Sequence, residues 1–294
     1  MKRPRESFPW GDHGAPPDGK RLPRSLRTLR LVLAYDGADF AGWQRQAGHR
    51  TVQGELEAVL AAIEGGPVHV AGAGRTDAGV HAAGQVASIR ITATIAADRL
   101  VRAFNATLPP DIRVLSADET FDRFHARLHA RGKTYRYFVW HAPMNHPALR
   151  RVAWHVPQRL SLDAMADAAV VFVGEHDFAA FQGQGSQVRS TVRRVTSARI
   201  DTDAALPPWC APPEARGRMV CLEVSGDGFL RHMVRAVAGT LVEIGKGRMR
   251  RDDVLRALAS GQRSAAGPTA PPHGLHLWRV HYPASDPAGT RNVL

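Results

Sequence analysis

Apolar positions along the chain follow two different periods, and together these periods predict an α+β fold. In the segment Leu29–Tyr35, apolar side chains occupy every second position, as in a strand with one face in a core. In Thr51–Glu64, apolar residues recur at the spacing of one helix face, and Gly65 supplies a stop. The first elements therefore read as a strand followed by an amphipathic helix.

The same two periods predict the remaining elements. Strands are predicted at Leu29–Tyr35, Val68–Ala71, Gln85–Ile91, Ile112–Ser116, Thr134–Trp140, Val192–Ile200, Met219–Ser225 and Leu275–Tyr282. Helices are predicted at Thr51–Glu64, Ala97–Asn105, Leu162–Phe172, Leu230–Ile244 and Asp252–Ala259. This order predicts two similar ferredoxin-like halves (β-α-β-β-α-β) with antiparallel or mixed sheets, joined around a central basic cleft.

Composition shifts suggest where these halves begin and end. Residues 1–25 mix Pro, Gly and basic side chains without an apolar period, which predicts a disordered basic arm. The N-terminal half is then expected at 26–130 and the C-terminal half at 131–283, with a flexible tail at 284–294. The Pro-rich stretch Ala205–Gly217 separates two predicted strands, so we expect an inserted surface loop there.

The charge balance narrows the class of partner. The chain of 294 residues has 39 Lys and Arg against 27 Asp and Glu, a net charge of +12, and its pI is near 10.8. Such a surplus is typical of proteins that bind nucleic acid, although an arginine-rich composition alone can also produce it. Two cysteines, Cys210 and Cys221, and the lack of a long apolar run predict a cytoplasmic protein without disulfides or membrane spans.

Several cofactor motifs are only partly matched. Gly72 and Gly74 begin a dinucleotide-like G-x-G, but Asp77 stands where the third glycine belongs and a strand follows. The sequence GKT that ends at Thr134 lacks the earlier glycine of a phosphate-binding loop. His125 and His129 have the spacing of zinc ligands, but no carboxylate lies between them. The sequence therefore predicts neither a cofactor nor a metal.

The loop GRTDAGVH, residues 74–81, is the strongest candidate for chemistry. Asp77 stands among glycines that allow unusual backbone conformations and close approach of a ligand, and Arg75 could contact phosphate or replace a displaced base. An aspartate before Ala-Gly is also a common turn residue, because its side chain can bond the backbone two residues on. Both interpretations of Asp77 stay open at this level.

Two further segments combine basic and aromatic side chains. On the predicted helix from Leu230, Arg231 and Arg235 lie along one edge, where they either contact RNA or form a solvated face. In the strand RGKTYRY, Lys133, Tyr135 and Tyr137 share a face, and a base can stack on such a tyrosine. Half-buried tyrosines are equally common in ordinary sheets.

With these residues identified, the sequence resembles the tRNA pseudouridine synthase A family from about Leu26 to Tyr282. The motifs that carry the likeness occur in the family's order: YDGADFAGWQRQ, TVQGELE, GRTDAGVHAAGQV, FNATLPPDIRV, RFHARLHARGKTYRY, FVGEHDFAAF, GFLRHMVRAVAGTL and PPHGLHLWRVHYP. The basic arm, the 205–217 insertion and the tail depart from the family pattern without touching a motif.

The resemblance implies a homodimer that needs no cofactor and isomerises uridine to pseudouridine at positions 38, 39 and 40 of the tRNA anticodon stem-loop. It implies that Asp77 is the essential aspartate, Arg235 its partner, Arg75 the base-displacing arginine and Tyr135 the contact to the target nucleotide. A carboxylate near C1′ can act as a nucleophile or as a base, and the sequence does not choose between them. An RNA-binding protein without catalysis and a nucleotide-dependent transferase are the alternative classes.

Overall fold

The structure, a computed structural model, describes residues 25–185, 188–202, 204 and 217–283. The predicted tail, almost all of the arm and almost all of the 205–217 insertion lie outside the described residues. The strands are β1 Arg27–Tyr35, β2 Ala71–Gly72, β3 His81–Ile91, β4 Ile112–Glu119, β5 Gly132–His141, β6 Trp154–Val156, β7 Gly174–Asp177, β8 Val192–Asp201, β9 Arg218–Gly226 and β10 Leu275–His281. The helices are α1 Val52–Glu64, α2 Ala97–Thr107, α3 Leu162–Ala169, α4 Met233–Gly245 and α5 Arg251–Ser260.

The strands form one mixed sheet, and its order confirms the predicted α+β fold. Its main path runs β4-β1-β3-β10-β5-β9-β8-β7, while β2 pairs with β3 and β6 with β5. In the first half the order β4-β1-β3-β2 is produced by a β-α-β-β-α-β chain, and in the second half β10-β5-β9-β8 repeats that order. No helix in the described part of the chain is long and apolar enough to cross a membrane.

A short parallel seam joins the two halves of this sheet. Strands β3 and β10 pair in parallel through only two residue pairs, His81 with His276 and Ala82 with Leu277. The adjoining pairings are longer: β1 and β3 pair over much of their length, and β5 and β9 pair through nine consecutive residues. The Asp77 loop leads directly into this seam, because β3 begins at His81.

The imidazoles of His81, His273 and His276 bond to the backbone of residues 151–153 beside the seam. His81 Nε2 lies 2.8 Å from the carbonyl oxygen of Arg151, and His276 Nε2 lies 3.0 Å from that of Val152. His273 bonds to the backbone of Ala153, and the rings of His81 and His276 stack with centroids 4.6 Å apart. Burial lowers the pKa of all three imidazoles, that of His276 to about 3.

Local differences from the predicted elements have local causes. The helix predicted at Leu230–Ile244 begins only at Met233, because His232 has the left-handed backbone φ of 62°. The helix predicted at Leu162–Phe172 ends in a 3₁₀ turn. The short strands β6 and β7 were not predicted, since three or four residues carry too little periodicity to be recognised.

Candidate active site

The loop that carries Asp77 is anchored to the sheet through the residues just before the carboxylate. Thr76 Oγ1 lies 2.9 Å from the hydroxyl of Tyr35, which is buried and whose pKa is raised to about 12 by that burial. The carbonyl of Gly74 accepts a hydrogen bond of 2.8 Å from Gln85 Nε2. Both anchors come from strands of the N-terminal half, so Asp77 is held by rigid neighbours.

A second segment, the YDGADFAGW motif, packs against the same loop. Trp43 N donates a hydrogen bond of 3.0 Å to Thr76 O. Gly42 just before it has a φ of +95°, and a Cβ there would lie 2.6 Å from Thr76 O. Only glycine therefore fits both this backbone conformation and the close approach to the loop. The two motifs are structurally one unit.

The carboxylate of Asp77 does not cap the turn. Gly79 N, the donor that an aspartate cap would use, donates instead to Phe40 O at 3.3 Å, and the turn is closed by a backbone bond from Val80 N to Asp77 O of 3.1 Å. The Asp77 side chain is 31% exposed. Of the two interpretations open at the sequence level, the geometry favours the carboxylate held out for chemistry.

Arg235, in the first turn of α4, faces Asp77 across the cleft. Its Nη1 lies 3.7 Å from Asp77 Oδ2, an ion pair somewhat longer than a hydrogen bond. Its Nε donates to Ala270 O at 2.8 Å, which fixes the guanidinium, and the side chain is 13% exposed. Burial lowers the pKa of Arg235 while the charge of Asp77 acts in the opposite direction. The structure thus brings together these two predicted residues from opposite halves.

His232 is a second partner of Asp77, and the sequence analysis missed it. Its Nε2 lies 3.5 Å from Asp77 Oδ2. Burial lowers the pKa of this imidazole; Asp77 opposes that effect, and nearby arginines, Arg235 first, add to it. The left-handed backbone at His232 directs the ring into the cleft, beside Gly183, where a Cβ would come within 2.5 Å of the ring. The only sequence signal was its i, i+3 spacing to Arg235.

Tyr135 forms part of the floor of the cleft. It lies on β5, is 8% exposed, and makes an edge-to-face contact with Phe229, with ring centroids 5.2 Å apart. Burial, with smaller effects from Tyr35 and Asp77, raises the pKa of Tyr135, so the phenol is neutral at neutral pH.

The two remaining arginines of the predicted site lie at its rim. Arg75 is exposed and, among the described residues, forms no ion pair. Arg231 lies in the turn before α4, and its Nη1 donates to Gln184 O at 3.2 Å. The predicted alignment of Arg231 with Arg235 on one helix edge is therefore wrong, because the helix begins after Arg231.

The histidine pair with zinc-like spacing has a structural role. His129 Nδ1 lies 3.0 Å from His125 N, and its ring stacks on Phe124. Within the ranges that the structure describes, no group of three or more His, Cys, Asp or Glu side chains is placed to hold a metal ion. Cys221 is buried, and burial raises the pKa of its thiol to about 12.

A half-buried carboxylate beside an arginine and an imidazole, in a chain with a net charge of +12, is suited to chemistry on a polyanion. On a doubled ferredoxin-like sheet, this arrangement defines a nucleic-acid-modifying enzyme. The sequence model described as "tRNA pseudouridine synthase" matches residues 31–127 and 168–283. The chain belongs to the tRNA pseudouridine synthase family and is therefore an isomerase that acts on tRNA.

Similar proteins support the same assignment. The chain is 47% identical over 269 residues to a tRNA pseudouridine synthase A of Solidesulfovibrio magneticus, a match covering 90% of this chain and 94% of that one. It is 41% identical over 257 residues to the enzyme of that name from Geobacter sulfurreducens, covering 87% and 100%. A solved archaeal box H/ACA sRNP Nop10-Cbf5 complex is 14% identical, covers 73% of this chain and 44% of that one, and has a TM-score of 0.30, too low to support any comparison.

Proposed function

We propose that the chain converts uridine to pseudouridine at positions 38, 39 and 40 of the tRNA anticodon stem-loop, with Asp77 as the reacting group. The observation that carries this proposal is the Asp77 carboxylate, which is exposed in the cleft, is not used by its own turn, and lies 3.7 Å from Arg235 and 3.5 Å from His232. A side chain held by two partners but open on its remaining side is suited to meet a substrate.

The reaction exchanges one bond of the uracil for another. The N1–C1′ bond breaks, the C5–C1′ bond forms, C5 loses its proton and N1 gains one, so no oxidant or cosubstrate is required. Asp77 either attacks C1′ to form a transient sugar ester or removes a sugar proton from the same nucleotide. In both routes the carboxylate must be ionised, and Arg235 stabilises that form.

The target nucleotide must leave the helical stack to reach Asp77. Arg75 projects from the exposed rim of the same loop, where it is suited to fill the space of the displaced base. Tyr135 lies in the floor with its phenol neutral, where it is suited to contact the flipped nucleotide. We further propose that the enzyme works in the cytoplasm as a homodimer.

Position-specific tritium release tests this function. Three stem-loops, each with a single uridine labelled at C5, at position 38, 39 or 40, are incubated with the purified chain. We expect tritium release from all three and none from a stem-loop labelled only at a uridine outside positions 38, 39 and 40. Absence of release from all three would refute the proposal, and release from the uridine outside these positions would refute its position specificity. Light scattering of the purified chain tests the dimer.

A further inference from the structure

Lys133 is a half-buried cation that the chemistry at Asp77 does not use. It lies on β5, two residues before Tyr135 and on the same face of the sheet. Its Cε would lie 2.9 Å from a Cβ at Gly74 and its Nζ 4.0 Å from it, so its stem runs along the first residue of the Asp77 loop. A side chain at position 74 would displace it. The glycine therefore makes room for this lysine.

Among the described residues, no hydrogen bond or ion pair joins the Lys133 ammonium to a protein group. Burial lowers the pKa of Lys133, the charge of Arg127 lowers it further, and Asp227 acts in the opposite direction. Asp227 is exposed, and its Oδ1 accepts a hydrogen bond of 3.2 Å from Arg194 N. This carboxylate therefore already accepts a hydrogen bond from another residue.

Arg127 is a second cation that, like Lys133, forms no ion pair among the described residues. Its side chain is exposed and forms no ion pair within the described ranges, and its charge contributes to lowering the pKa of Lys133. The positive charges of Arg127 and Lys133 repel each other in the free protein, and the partial burial of Lys133 adds a desolvation cost that the charge of Asp227 offsets only in part. An anion between them would remove both costs.

We propose that Lys133 and Arg127 form a phosphate-binding subsite beside the Asp77 loop, which holds a phosphodiester adjoining the target uridine. Lys133 is about 6.8 Å along the strand from Tyr135. The proposal rests on the proposed function, since it takes Asp77 and Tyr135 as the place of that nucleotide. A phosphate bound there fixes the position of the RNA strand on the protein when the target base leaves the helical stack.

Binding of a labelled anticodon stem-loop, measured at several salt concentrations, tests whether the charge of Lys133 neutralises an RNA phosphate. We expect Lys133→Gln to weaken binding roughly tenfold and to lower the slope of log K against log salt by about 1. KM should rise with kcat nearly unchanged. The matched control is Arg102→Gln, which removes an exposed cation on α2, beside β4 and four strands from β5. Equal effects of the two variants on affinity and slope would overturn the subsite.

Replacing single phosphates of the stem-loop by uncharged methylphosphonates shows which phosphate the subsite binds, and this test uses the wild-type enzyme. Single methylphosphonates are placed along the stem-loop, and binding of the wild-type enzyme is expected to fall at one linkage flanking the target uridine. Lys133→Gln should lose no further affinity at that linkage but remain sensitive at the others. An undiminished loss in Lys133→Gln at every linkage would refute the proposal. Tritium release by the wild-type enzyme from the unmodified stem-loop is measured alongside: if it fails, the proposed function fails, while the binding results still judge the subsite.

Discussion

Replacing Asp77 by asparagine keeps the size of the side chain and removes only its charge and basicity. The amide cannot attack C1′ and cannot accept a proton, so both chemical routes are closed. We expect turnover to fall by at least about a thousandfold, within the range that removal of a reacting group produces. The loop itself should stay in place, because Thr76 and Gly74 hold it through bonds that do not involve the carboxylate.

The cost to folding can be worked from the ion pair with Arg235. At 3.7 Å the Coulomb attraction is about 1.1 kcal/mol at the dielectric constant of water and about 4.5 kcal/mol at an effective value of about 20. The two side chains are 31% and 13% exposed, so solvent screens the pair only in part, but the variant also no longer bears the cost of desolvating a carboxylate; the net loss of unfolding free energy should be about 2 kcal/mol. Affinity for tRNA should be unchanged or tighter, because an anion is removed from a cationic cleft.

Three measurements on the same preparation test this expectation: thermal unfolding, tRNA binding and single-turnover tritium release. The matched control is Asp167→Asn on α3, which removes a 68% exposed carboxylate whose partner is Arg251 at 3.4 Å. The control should keep wild-type turnover. A loss of turnover smaller than about a hundredfold in Asp77→Asn, with the protein folded and bound to tRNA, would contradict the assigned role.

Three other predictions concern the surroundings of this carboxylate. Arg235→Lys should lower kcat in single-turnover assays with little change in tRNA affinity, since an ammonium cannot hold both a backbone carbonyl and Asp77 in the geometry of the guanidinium. Thermal unfolding measured across pH should show constant stability above about pH 6.5 and declining stability below it. The folded protein binds protons at these imidazoles less readily than the unfolded chain does, because burial lowers their folded pKa values. His276→Asn should flatten the decline, and an unchanged profile would count against this assignment. Gly42→Ala should lower stability and turnover well beyond Gly48→Ala, since both have positive φ but only position 42 adds a clash with the loop; equal effects would show that the clash is relieved.

The sequence was sufficient for the order of the longer elements and for the proximity of Asp77 to Arg235, but not for His232 or for the short strands β6 and β7. Alternation in Leu29–Tyr35 and helical spacing in Thr51–Glu64 report directly which face is buried, and β1 and α1 lie where they were predicted. The thirteen residues of α1 begin after Thr51, whose hydroxyl accepts a hydrogen bond from Gly54 N, and end at Gly65. Such local signals do not depend on the rest of the fold. The roles given to Asp77, Arg75, Tyr135 and Arg235 stay predictions.

Features that depend on contacts between distant segments could not be predicted in this way. The left-handed conformation of His232 is imposed by its surroundings, and no local rule distinguishes this histidine from a helical one. The unpaired state of Lys133 can be known only once the positions of all carboxylates are known. The pairing of His81 with His276 joins residues 195 positions apart, and its two-pair length leaves no periodic signal.

The short seam between β3 and β10 means that the proposed activity should depend on correct pairing of the two halves of the sheet. Asp77 enters from one side of the seam, and Arg235 and His232 from the other, so neither half contains a complete site. Either repeat of the β-α-β-β-α-β unit alone would therefore be inactive even if it folded. In the sequence GRTDAGVH only three residues separate the Asp77 carboxylate from His81, the first residue of the seam, so a change in the seam is expected to move the carboxylate as well.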